Sequence, residues 1–178
     1  MKESLVSQYL AELYRWNKKI NLTSVAEEVA HGVLVTPSLA MLEYLPVGGE
    51  VFDIGSGGGI PGIVLAIYRP DSRFTLVESV GKKAVFLTHV ARLLKLGNVR
   101  VAAVRAEKLA CDPAYAGTAD AVVSRAVKRE DVVAAAKGLL KPGGRVIVHR
   151  SPKDAPDVPG YSLIGKNGFA DCFVPEKA

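Results

Sequence analysis

Between Asp53 and Gly62 the chain reads DIGSGGGIPG, five glycines in ten residues with apolar segments on either side. Glycine removes the Cβ and opens positive φ, so such a turn can bring backbone N–H groups against a ligand. Two ligand chemistries fit the spacing. Gly57, Gly59 and Gly62 satisfy GxGxxG, the phosphate turn of a dinucleotide site. Asp53 followed by Gly55, Gly57 and Gly59 satisfies an acid before GxGxG, the pattern of an S-adenosylmethionine (AdoMet) site. Asp53 in the loop mouth would repel a pyrophosphate but order water or bond the cationic end of an amino acid, which favours AdoMet. Glu78 closes the next apolar run, where a carboxylate takes both ribose hydroxyls. In RAEK, Ala106 and Glu107 fall where an adenine edge would lie. Arg125, in SRAVKR, falls where a methyl acceptor would approach.

These positions need strand ends to hold them, and the pattern supplies strands. VFDI reads as a short buried strand, and IPGIVLAIYR as a helix opened by Pro61. RFTLVES, NVRVAAV, ADAVVS and KPGGRVIVHR read as further strands. The helix GKKAVFLTHVARLLKL carries apolar Val85, Phe86, Val90, Leu93 and Leu94, and another helix is expected near 130–140. Short apolar strands alternating with helices predict an α/β fold with a parallel sheet covered on both faces. YSLIG and GFADCFV, flanking KN, read as a final antiparallel hairpin, after the Pro-rich loop SPKDAPDVPG. That hairpin suits a class I methyltransferase sheet, Rossmann-like and mostly parallel with seven strands, rather than a nicotinamide domain. Leu5, Tyr9, Leu13, Trp16 and Ile20 make one helical stripe, and residues 24–45 read as further helix, with Pro37 opening a short one. The expected organisation is an N-terminal helical extension, 1–45, packed on a cofactor-binding domain, 46–178.

The 178 residues carry a net charge of +5, which fits an anionic partner such as nucleic acid. Cys111 and Cys172 lie far apart, without CxxC or zinc-type Cys/His spacing, and read as reduced thiols; no metal site is expected. His31, His89 and His149 show no sequence spacing that pairs them with a carboxylate or a nucleophile, and read as structural or solvated. No apolar run has the length of a membrane span, and the acid-bearing N-terminus does not read as a signal peptide. A cytoplasmic monomer is expected.

Several segments together resemble one family. WNKKINLTSV (16–25), DIGSGGGIPGIVLAI (53–67), LVESVGKKAVFL (76–87), LKLGNVRV (94–101), RAEKL (105–109) and DAVVSRAV (120–127) are similar, in order, to the bacterial small-subunit rRNA methyltransferases called RsmG or GidB. The resemblance implies AdoMet-dependent methylation of a guanine N7 in 16S rRNA, with that RNA or the small ribosomal subunit as partner. It implies that Gly55 and Ile60 line the cofactor, that Ala106 and Glu107 border its adenine, and that Glu78 holds the ribose. Arg125 would face both cofactor and substrate, and Arg105 would be a second basic residue at the site; these two are the candidate catalytic residues. Guanine N7 offers a free lone pair, so a cation holding phosphate or O6 is needed rather than a base. Lys128 and Arg129, with Lys18 and Lys19 from the first helix, are candidate substrate contacts beside Arg125. Two departures fall near the substrate side. His31 is followed by GVLVTPSLA, without the family's Asp before Ser38, and His149, Arg150 and Ser151 replace its Lys-Gly. The alternatives are a class I methyltransferase for a small molecule or protein, a non-catalytic RNA-binding relative, and a nicotinamide reductase.

Overall fold

The computed structural model describes residues 1–125, 127–150 and 158–176. At its centre lies β1 (Glu50–Ile54), paired in parallel with β2 (Arg73–Val77) on one side and β4 (Ala119–Ser124) on the other. Beyond them, also parallel, run β3 (Val99–Ala102) and β5 (Leu140–His149). β6 (Tyr161–Lys166) and β7 (Ala170–Pro175) form the expected antiparallel hairpin. Its second strand joins the sheet, giving the order β3-β2-β1-β4-β5-β7-β6. Most of the Pro-rich loop before the hairpin lies outside the described residues.

Strand periodicity sorts the core into two layers. Val51, Phe74, Leu76, Ala121, Val123 and Ile147 project to one face, where they pack with α1 (Lys2–Asn17), α3 (Gly62–Tyr68) and α4 (Gly81–Leu93). Phe52, Ile54, Val77, Val122, Val146 and Val148 project to the other, under α6 (Arg129–Leu139) and the short α5 (Ala106–Ala110). At five residues, α5 is too short to show a helical period and was not expected from the pattern. The 24–45 segment is a chain of short turns: 3₁₀ at Glu27–Val29, π-helical at His31–Val35, then α2 (Thr36–Ala40) with Pro37 in its first turn, and 3₁₀ at Met41–Glu43. On α4, Val85 and Leu93 are 59% and 48% exposed, because the sheet and α1 cover only the stripe made by Ala84, Phe86, Leu87, Val90 and Ala91.

The helical extension shares the first core layer rather than forming a core of its own. Val6, Tyr9 and Leu13 bury at helical spacing against α3 and α4. The Trp16 ring stacks within 5.5 Å of Phe86 and 5.2 Å of His89. Below it the Glu12 carboxylate accepts hydrogen bonds from Arg15 and Trp16 and meets His89 Nε2. The Arg15 hydrogen bond leads in holding that carboxyl down at about 2, with His89 and Trp16 adding to it.

Candidate functional site

The glycine turn leaves β1 and folds back on itself. Gly55, Gly57 and Gly59 take φ of +70°, +54° and +93°, a region costly for any other residue. Its amides are largely engaged within the protein. Those of Gly55 and Ser56 bond the Val77 carbonyl, that of Gly59 the Ser56 carbonyl, and that of Gly57 the Glu78 carboxylate. The turn therefore does not offer a row of free N–H groups to an anion, as a pyrophosphate site would. Its glycines serve close approach instead. A Cβ on Gly55 would lie 2.4 Å from Val127 Cγ2, and one on Gly58 would lie 3.0 Å from Leu13 Cδ1.

Two clefts meet at this turn, sharing Gly55, Glu78 and Val127. The larger, about 480 Å³, runs from the glycine turn and Ile60 to Arg125 and Lys83, and is roofed by Leu22, Thr23, Ser24 and Val25. The smaller, about 160 Å³, is lined by Arg105, Ala106 and Glu107 together with Asp131. Of the expected site residues, these clefts gather Gly55, Gly57, Ile60, Glu78, Arg105, Ala106, Glu107 and Arg125. The roof is built by Asn17, whose Oδ1 accepts the Leu22 and Thr23 amides while its Nδ2 donates to the Thr23 carbonyl. Thr23 to Val25, with Asp131, are cleft residues that the motif spacing did not single out as ligand contacts. The WNKKINLTSV segment was the available signal for the roof.

Asp53 is placed differently from expectation. It is fully buried, shares the α3 face with Val51, and its Oδ2 accepts the Gly62 amide at 3.1 Å. It lies beneath the turn rather than in its mouth. Burial pushes its carboxyl up to about 7. Its Oδ1 has no hydrogen-bond partner among the described residues. Gly59 likewise packs inward, its Cβ position lying 2.7 Å from Ile63 Cγ1.

The cations also divide. Arg125 is half-buried at the cleft wall, its Nη1 buried without a hydrogen-bond partner among the described residues, and burial lowers its pKa. Lys18, Lys19 and Lys128 are exposed. Arg129 is not a surface cation. It is buried, pairs with Asp171 at 3.0 Å and lies over the Phe173 ring, so it ties α6 to β7 instead of offering charge to a substrate.

This donor set suits AdoMet better than a dinucleotide. Two carboxylates, Asp53 and Glu78, hold the turn amides that a pyrophosphate would need. Glu78 accepts from Gly57 and Val80 with one oxygen each, which leaves a lone pair on either oxygen for a ribose diol. Apolar Ile60, Ala106 and Val127 flank it, and Arg125 lines the larger cleft.

The sheet order, with an antiparallel β7 beside β5, and this site define the Rossmann-like fold of class I AdoMet-dependent methyltransferases. Solved structures of that fold superpose on the chain. A putative methyltransferase, yhhF, from Escherichia coli gives a TM-score of 0.62 at 19% identity, covering 88% of this chain and 91% of that one. A SAM-dependent methyltransferase from Aquifex aeolicus gives 0.60 at 13% identity, covering 92% and 96%. The model of the GidB family, rRNA small subunit methyltransferase G, matches residues 2–159, and the chain belongs to that family. It is 46% identical over 144 residues to the ribosomal RNA small subunit methyltransferase G of Xanthomonas axonopodis pv. citri (strain 306). That match takes in 79% of this chain and 65% of the Xanthomonas protein, so the chain spans about two-thirds of its relative's length.

Proposed function

We propose that the protein is an AdoMet-dependent methyltransferase that methylates N7 of a guanine in 16S rRNA, working in the cytoplasm as a monomer on the small subunit or its RNA. The observation that carries this reading is Arg125, a half-buried cation lining the cleft that the glycine turn and Glu78 also line. When bound, AdoMet supplies an electrophilic methyl on a sulfonium. Glu78 would take the ribose hydroxyls, Ala106 and Glu107 the adenine edge, and Gly55, Gly57 and Ile60 the body of the cofactor. Arg125 would hold a phosphate or guanine O6 so that N7 stands in line at roughly 3–3.5 Å from the methyl. No side chain need remove a proton, because N7 attacks with its own lone pair. Arg105 lines the smaller cleft beside Ala106 and Glu107, so its part would be to hold a neighbouring phosphate. Lys18, Lys19 and Lys128 would bind backbone phosphates by counterion release. No helix among the described residues is long and apolar enough to cross a membrane.

Calorimetric titration with S-adenosylhomocysteine, and in parallel with NADH, tests the cofactor. Heat and thermal stabilisation with the first and neither with the second are expected. Binding of NADH alone would overturn the reading.

A further inference from the structure

We propose that Tyr9, on the N-terminal helix, is a positioning residue for the cofactor: its hydroxyl fixes the Gly58 carbonyl and so holds the glycine turn in the form that meets Glu78. This rests on the AdoMet reading above. Tyr9 is fully buried, and its hydroxyl donates to the Gly58 carbonyl at 2.6 Å. A phenylalanine would fill nearly the same volume, so the hydroxyl is what needs an explanation; buried without that acceptor it would be costly. Gly58 is clasped on the same side by Leu13 and by the Leu22 carbonyl, each about 3 Å from where its Cβ would lie. From the sheet side Glu78 holds the adjoining Gly57 amide. Two successive residues of the turn are thus fixed from opposite directions, one by the ribose-holding carboxylate and one by α1.

The electrostatics agree. Burial, and then the charge of Asp53, raise the Tyr9 pKa well above its ordinary value, which keeps the hydroxyl protonated and donating. Arg125 also acts on this hydroxyl, so Tyr9 lies within the electrostatic reach of the residue proposed to face the substrate. The consequence is that the helical extension, which adds no strand to the sheet, is part of the cofactor site. Its docking and cofactor binding are then coupled.

The test compares Tyr9→Phe with Val6→Ala, a buried change on the same helix away from the clefts. For Tyr9→Phe, loss of one hydrogen bond at the turn is expected to weaken S-adenosylhomocysteine binding about tenfold and raise the KM for AdoMet alike, with kcat within about twofold. Val6→Ala is expected to lower the melting temperature at least as much, while affinity stays within about twofold of the parent. Parental affinity in Tyr9→Phe, or equal loss in Val6→Ala, would overturn the inference alone. A parent protein that binds no S-adenosylhomocysteine would overturn the cofactor reading along with it.

Discussion

Glu78 and Gly57 are joined across the mouth of the sheet: Glu78 Oε2 accepts the Gly57 amide at 2.9 Å, and its other oxygen accepts the Val80 amide at 2.7 Å. One carboxylate thus ties the end of β2 to the turn after β1. Glu78→Gln turns an acceptor into a donor facing an N–H group. Hydrogen bonds to a charged group are worth about 1.5–3 kcal/mol, so S-adenosylhomocysteine affinity should fall roughly tenfold to a hundredfold. Calorimetry on the folded variant measures this.

Gly62 begins α3, where alanine ordinarily stabilises a helix by up to about 1 kcal/mol. Here the sign should reverse. A Cβ at Gly62 would stand 2.4 Å from Leu76 Cδ2 and 2.5 Å from Asp53 Oδ2. Overpacking of this kind costs about 1–3 kcal/mol, so Gly62→Ala should lower stability in urea denaturation.

Asp53 gives the protein a pH dependence of definite sign. Its carboxyl is pushed up to about 7 by burial, from an ordinary value of 3.8. The neutral form is therefore favoured in the folded state. The stability this group contributes is full below the ordinary value and is lost as pH rises through 7. Asp53→Asn cannot ionise. The melting temperature of the parent should fall relative to that variant as pH is raised from 5 to 7, and the difference should level off between 7 and 9.

Arg129 and its neighbour Lys128 should behave oppositely. Removing one partner of the buried Arg129–Asp171 pair should cost about 3–5 kcal/mol of stability in Arg129→Ala. Lys128→Ala should leave stability nearly unchanged. It should instead weaken RNA binding evenly and reduce the slope of log K against log salt by about 1. Filter binding across a salt series separates the two.

Much of this was legible in consecutive residues. The strand-to-helix turn, Glu78 at the end of β2, and Ala106 and Glu107 after β3 sit in short motifs whose spacing follows the chain, so the clefts could be placed from them. What the motifs did not carry were partners distant in sequence. Arg129 reads as a free cation until Asp171, 42 residues on, is brought beside it. Tyr9 reads as one more apolar position on a helical stripe until Gly58, 49 residues on, accepts its hydroxyl. The glycines were visible, but that their amides are engaged inside the protein depends on β2 and Glu78 lying alongside. Asp53 is different. Strand alternation already puts it on the face of Val51, under α3, and the expectation of a carboxylate in the loop mouth passed over that period of two.

The most direct measurement is transfer of labelled methyl from AdoMet to small ribosomal subunits and to naked 16S rRNA that lack the modification, with the labelled nucleotide mapped. Label at N7 of one guanine of the 16S rRNA is expected, at a rate lowered about a hundredfold or more by Arg125→Ala, as for loss of a group that holds charge at the reacting centre. Label in a protein, a small molecule or another position of the RNA, or an undiminished rate in Arg125→Ala, would contradict it.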